Sequence, residues 1–485
     1  MSASLDARGI EESVLREHIR VLASDEFEGR DPGTAGEEKT INYIAEEWGK
    51  AGLKPAASDG SWFEPVPMIS YMPGERDVRF HRAGRKLRFS REDIVLVGRE
   101  ENYLAKKVPV LFAGSGLKGD GSLIDGVKGK ALLLLLDTPE NAQDELRSFR
   151  ARSRALIEAG AEVIIYVANP DEWKMMKRRV ERRSVRLEGQ RPRAPLQGAV
   201  STEFAVGLVT SGGRDWDKLR AKAKTEDFAG IDLGVTGDFN VASKISRIKS
   251  NNVIGKITGR KPGSGAVMYL GHWDHFGYCG EEGDDDGICN GAVDNASGIA
   301  VLIEVAAKLA RKKHDRDIYF LATTAEERGL LGAYAYTRKP VFPLEDIVVA
   351  LNIDTIAIAP KGAKVAIIGR GTERLDKAVE KVARKKRRRI EKSDDANAFI
   401  RRQDGWAFTQ KGVPALMVGG AFSDLKLLQE FLRGVYHGVD DELTAETELG
   451  GATEDADLHV ALGKYFASTR KFRRKKATAE KPSGE

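Results

Sequence analysis

A chain of 485 residues is long enough for two or three domains. Its 78 Lys and Arg against 73 Asp and Glu leave a formal charge of +5, too little to argue for nucleic acid as a partner, and no apolar run approaches the roughly 18 residues of a membrane span. The opening MSASLDARGIEESVLREHIR is polar and helical in pattern, not a secretory leader, so the chain as written reads either as cytoplasmic or as a trimmed form.

Residues from about 100 to 240 carry no cluster of candidate ligands. Val108–Phe112, Ala131–Leu136 and Val163–Val167 have the texture of strands, and Ser153–Gly160 reads as a helix closed by its glycine. The chain changes character after Asn251. Val267–Gly271 is a short apolar run with strand character, and His272-Trp273-Asp274 follows at once. Asp294 stands in a turn before a helix whose Ile299, Leu302, Ile303, Ala306 and Leu309 recur at helical spacing. Asp317–Thr324 is a second strand run with Glu326 and Glu327 just beyond it, and Ile347–Ile353 is a third with Asp354 at its tip. Near-continuous apolar runs separated by helical stretches mark a parallel sheet buried on both faces, where ligands bind at the carboxyl ends of the strands. Tyr436-His437 adds a second imidazole. The set holds what a pair of divalent cations needs: two imidazoles, carboxylates to bind and to bridge, and one carboxylate left over as a base. Asp294, at the helix mouth, is placed to bridge.

Other features carry less. Lys381–Arg389 holds seven basic residues, but Leu375, Val379, Val382 and Ala383 give that segment an apolar helical face, so it reads as a solvated helix surface. Lys174–Arg193 is also arginine-rich, and the acidic loop Glu281–Asp286 reads as solvated, with a substrate ammonium or a Ca²⁺ as alternative occupants. The tail after Arg470 reads as disordered. His18, His81, His314 and His459 sit among charged or helical residues and read as surface or core side chains, and His275 as a brace for its loop. Cys279 and Cys289 lie between His272 and Asp294; free thiols and a loop-clamping disulfide both remain open, the latter pointing to export.

GHWDHFG, GAVDNASG, TTAEERGLLGA, LNIDT and YHGVDDE together resemble the co-catalytic zinc aminopeptidases of the aminopeptidase Y and aminopeptidase S type, a metallopeptidase family that also includes glutamate carboxypeptidases. LASDEFEGRDPGTAGEEKTINYIAEEWGKAGLKP at residues 22–55 resembles the family's N-terminal helices, and Asp404–Phe408 with Gly412–Ala415 its final segment. Relatives often read Ser-Asp-His where this chain has Gln403-Asp404-Gly405, a departure at positions that flank the pocket. The resemblance implies an α/β fold, with a mixed, mainly parallel sheet flanked by helices, as in zinc exopeptidases. It implies one cation held by His272 and Asp354, a second by Glu327 and His437, and Asp294 between them. Glu326 is then the general base, Asp274 the acceptor of the second imidazole proton of His272, and Tyr436 a donor to the oxyanion. Two Zn²⁺ per chain are expected, with Co²⁺ or Mn²⁺ able to substitute.

GVKGKALLLLLDTP followed by EAGAEVIIYVANP resembles a mainly β protease-associated domain, which this family often carries as an insertion beside the active-site mouth. The expected layout is residues 1–100 as the first part of the peptidase domain, 101–240 as the insertion, 241–470 as the peptidase domain with the metal site, and 471–485 as a basic tail. The implied substrate is a peptide or protein N-terminus. A glutaminyl-cyclase-like zinc transferase, a carboxypeptidase and a non-catalytic scaffold are the rival functions on this fold. Relatives are often exported, which stands against the cytoplasmic reading of the start.

Overall fold

The computed structural model describes residues 9–140, 142–181, 183–190, 195–280 and 286–474. The chain forms two compact units, one of residues 1–67 with 248–485 and one of residues 68–247. The acidic loop lies outside the described residues from 281 to 285, as does the tail from 475. No helix among the described residues is long and apolar enough to cross a membrane.

In the first unit the strands run in the order Ala366–Ile368, Ala415–Gly419, Ile347–Asn352, Ala266–His272, Asp317–Thr323 and residues 253–257. The four central strands are parallel, and each edge strand is antiparallel to its neighbour. The expected mixed, mainly parallel sheet is present. The runs of its central strands are nearly continuous in apolar residues, with polar ones such as Asp317, Thr323 and Asn352 only at strand ends, because both faces are covered. Val267 and Tyr269 enter one core with Ile299, Leu302 and Leu458, while Met268 and Leu270 enter the opposite core with Tyr336 and Phe408. The helices Glu12–Leu22, Ala35–Ala51, Ser297–Ala310 and Gly450–Phe466 contribute to the first of these cores.

Thr34 caps Ala35–Ala51 by accepting from Glu37 N, and Gly52 ends the helix at φ +92°. The Glu37 carboxylate accepts from Ser250 Oγ and Asn251 N at 2.9 Å each. The N-terminal segment is thus tied to the residues where the unit resumes.

The second unit begins earlier and ends later than the expected 101–240. Residues 68–71 pair with Ser184–Leu187, and Ile94–Gly98 pairs with Leu196–Ser201, so these early strands belong to it. Asn102–Phe112, Ala131–Leu135, Val163–Ala168 and Leu196–Ser201 are parallel in that order. Residues 231–242 close one side of this sheet and Ile94–Gly98 the other, both antiparallel. Phe149–Glu158 and Thr202–Ser211 are among its helices.

Candidate metal centre

Three neighbouring parallel strands deliver the site. His272 is the last residue of its strand, paired in register with Thr323; Glu326 and Glu327 follow the end of the second strand, and Asp354 follows the end of the third. Asp294 lies in the single turn, Ala292–Ala296, that precedes the helix Ser297–Ala310. That turn requires Gly291, whose φ is +55°. A Cβ there would lie 2.2 Å from the Asp294 carbonyl oxygen and 2.6 Å from the His275 ring. His437 arrives from the far end of the sequence at φ +61°. These six of the eight residues singled out from the sequence are brought together.

Their donor atoms face one another. His272 Nε2 is 3.2 Å from Asp294 Oδ1 and 3.4 Å from Asp354 Oδ1. His437 Nε2 is 3.2 Å from Asp294 Oδ2 and 3.1 Å from Glu327 Oε2. A tetrahedral zinc with bonds near 2.0–2.2 Å holds its ligand atoms about 3.3–3.6 Å apart. The donor atoms of His272, Asp294 and Asp354 lie within 4.8 Å of one another, as one such group needs; around Asp294 and Glu327 the imidazole that completes a comparable group is that of His275, while His437 Nε2 lies against one oxygen of each carboxylate. His437 Nε2 is buried and faces the two carboxylate oxygens. His272, Asp294 and Asp354 are buried, and Glu326 and Glu327 are nearly so. Carboxylates concentrated away from water need compensating positive charge, or they cost several kcal/mol each.

The electrostatics express the same pressure. Burial opposes a charge on His437, yet Asp294 and Glu327 outweigh it and push the imidazole up to about 9. Burial, with the like charges of Glu327, Asp404 and Asp354, raises the Glu326 carboxyl well above its ordinary value against the opposing pull of His272. The Glu326 carboxylate has no hydrogen-bond partner among the described residues, and one of its oxygens lies within 4.8 Å of donor atoms of His272 and Glu327. It is free to take a proton.

Asp274 differs from its expected role. His272 Nδ1 is 3.1 Å from the Asp274 backbone carbonyl and 3.8 Å from its carboxylate, so the carbonyl is the better-placed acceptor. The carboxylate is occupied by the backbone N–H groups of Glu326 at 2.9 Å and Glu327 at 3.4 Å. Asp274 therefore orients the Glu326-Glu327 turn. Arg30, which sequence reasoning did not single out, is buried and donates to the carbonyls of Leu22, Trp273, Asn290 and Gly291. It holds the loop after His272 against the turn before Asp294.

Cys279 and Cys289 form a disulfide, and both sulfurs lie about 4 Å from the His437 carbonyl oxygen. The Lys381–Arg389 run is only partly a solvated surface. Its helix ends at Lys385, and Arg388 is buried, 2.7 Å from Asp455, because the chain turns inward there.

A cleft opens on the site. His272, Asp294, Glu326, Asp354 and Tyr436 form its reactive wall, and Phe399, Phe422, Leu428 and Leu432 line it with apolar surface. Arg402 and Gln403 also reach it. The Tyr436 ring stacks on that of His437 at 3.6 Å between centroids. Sequence reasoning missed the apolar wall and Arg402; the adjoining Gln403-Asp404-Gly405, already marked as unusual, was the only signal near them.

Residues 252–459 match the profile of peptidase family M28. A vacuolar membrane protease of Candida glabrata is 31% identical over 119 residues, which are 24% of this chain and 11% of that protein. A probable zinc metalloprotease of Pyricularia oryzae is 31% identical over 140 residues, 28% of this chain and 27% of its own length. The matched segments thus span well under a third of these curated relatives. The aminopeptidase from Aneurinibacillus sp. strain AM-1 shares the fold with a TM-score of 0.58 at 17% identity, over 94% of each chain.

Proposed function

We propose that the chain, whose residues 252–459 match peptidase family M28, is a metal-dependent exopeptidase that removes residues from the amino end of peptides. The observation that carries this reading is the Asp294 carboxylate, with one oxygen 3.2 Å from each of two Nε2 atoms, beside an unpartnered Glu326. His272 and Asp354 would hold one cation and Glu327 and His437 the other, with Asp294 shared between them. Zinc suits this mixed nitrogen and oxygen set, and Co²⁺ or Mn²⁺ can replace it. When bound, the pair supplies Lewis-acid polarisation of the scissile carbonyl and a water acidified at neutral pH.

The chain's own residues do the rest. Glu326 takes one proton from the water as its oxygen adds to the carbonyl carbon, and returns that proton to the amine nitrogen as the C–N bond breaks. Asp274 holds the Glu326 backbone in place through its carboxylate. Tyr436, at the cleft wall, donates to the oxyanion. The apolar lining of Phe399, Phe422, Leu428 and Leu432 receives the side chain of the residue released. The unit 68–247 is read as a protease-associated insertion on sequence resemblance alone.

Attack from the amino end is supported by the resemblance of the motifs around His272, Asp294, Glu326, Asp354 and His437 to those of aminopeptidases. One observation favours a carboxypeptidase instead: Arg402 lines the same cleft and is able to bind a terminal carboxylate. The test is one peptide offered free and N-acetylated, with the released residue identified by mass. Release of the first residue from the free form alone supports the aminopeptidase. Cleavage of the acetylated form from its carboxyl end overturns it and points to Arg402.

A further inference from the structure

Asp294 is gripped on both sides by residues that touch no substrate. On one side is Asn295, its own neighbour, which is 1% exposed. Asn295 Nδ2 donates to the His272 carbonyl at 3.1 Å and to the Ile353 carbonyl at 3.3 Å. Its Oδ1 accepts from Gly298 N and Thr355 N at 3.1 Å each. One amide therefore binds the backbone of His272 and both neighbours of Asp354. Those two residues are the remaining ligands of the first cation group.

On the other side is Asp441, also 1% exposed, four residues beyond His437. Its Oδ1 accepts from Val293 N at 2.9 Å and its Oδ2 from Asp294 N at 3.0 Å, while its carbonyl accepts from Ala292 N at 2.9 Å. Gly438 N donates to Val435 O at 2.9 Å and Asp441 N to Gly438 O at 3.4 Å, so Asp441 belongs to the turn that carries His437. The two clamps converge on the bridging residue from opposite cation groups.

We propose that Asn295 and Asp441 are paired positioning residues that set the two cation affinities separately. Asn295 registers Asp294 against His272 and Asp354, and Asp441 registers it against His437. The residue types follow from the partners. Asn295 must donate to carbonyls and accept from amides at once, which a primary amide does and a carboxylate does not. Asp441 faces two N–H groups with two oxygens, and an asparagine there would aim N–H at N–H. This inference rests on the two-cation reading but not on peptide hydrolysis.

The test uses the near-isosteric variants Asn295→Asp and Asp441→Asn in the full chain. Stepwise Zn²⁺ binding is measured against a competing chelator, with His272→Ala and His437→Ala assigning each step to its group. Asp441→Asn is expected to weaken the His437 step by about 10–100-fold, the usual cost of losing a residue that orients a ligand, with the His272 step changed less than about threefold. Asn295→Asp is expected to do the reverse. Equal weakening of both steps, or none, overturns the proposal, since a general role in folding does not discriminate between them. Hydrogen exchange on the metal-free wild type keeps the question open to refutation where a variant fails to fold. The amides of Val293, Asp294, Gly298 and Thr355 are expected to be protected before any cation is added, and free exchange there overturns the pre-set clamp. A wild type that binds one cation removes the two-cation reading and this proposal with it. A wild type that binds two but cleaves no peptide removes only the peptidase.

Discussion

His275 Nδ1 lies 2.9 Å from Glu327 Oε1, while Oε2 of the same carboxylate is 3.1 Å from His437 Nε2. A carboxylate held by one oxygen cannot swing its other oxygen away from the second cation group. His275 thus braces a ligand across 52 residues of sequence, which is more than its own loop. His275→Ala is expected to lower affinity for one of two Zn²⁺ by about 10–100-fold. His275→Gln, which keeps a donor, should recover part of that loss. Unchanged binding in the alanine variant would leave the contact without consequence.

The base is tested by Glu326→Gln, which keeps the shape and removes the proton acceptor. Turnover should fall by about 10² or more, while elemental analysis still finds the wild-type metal content. Near-normal turnover of the purified variant takes Glu326 out of the mechanism.

Removing the bridge has a different signature. Asp294→Ala is expected to lose metal together with activity, because each of its oxygens faces a different imidazole. In the wild type, a strong chelator should abolish hydrolysis and added Zn²⁺ should restore it. Two tightly held metals in the alanine variant count against the bridge.

His459 makes a stability prediction far from catalysis. Burial depresses its pKa to about 4, against the smaller opposing effect of the hydrogen bond from Nε2 to the Val418 carbonyl at 2.8 Å. The folded chain therefore binds fewer protons here than the unfolded chain between pH 6.5 and about 4. This contribution is fully present above pH 6.5 and is lost as pH falls through that window, by at most about 3 kcal/mol. Urea unfolding of the metal-free protein should show a steeper loss of stability across the window in the wild type than in His459→Gln. Parallel curves would assign the acid sensitivity to other groups.

Much of the candidate centre was legible because the placement of its donor residues follows from local pattern. The apolar runs 267–271, 317–324 and 347–353 are strands to within a residue or two, and a parallel sheet buried on both faces confines their polar residues to the strand ends. His272, Glu326, Glu327 and Asp354 stand at those ends. Asp294 was equally legible, since a carboxylate just before a strongly periodic helix has one place to be.

What depends on partners remote in sequence was not legible. Asp274 looked like the acceptor for its near neighbour His272, yet its carboxylate is taken by the amides of Glu326 and Glu327, 52 and 53 residues away. Arg388 read as one charge in a solvated run, and the turn after Lys385 buries it against Asp455. Phe399, Arg402, Phe422 and Leu432 meet only in the cleft, and no periodicity links them. The early start of the second unit had the same cause: whether residues 68–100 belong to one sheet or another is decided by which strand they pair with, and pairing is not a local property. By itself the sequence determined the strands, the order in which they present donor atoms and the residue types at their ends, because these follow from burial and backbone geometry over a few residues. Only the tertiary structure decided which oxygen faces which nitrogen and which backbone groups lock the ligands, because a buried hydrogen bond requires a partner at about 3 Å, and that partner can come from anywhere in the chain.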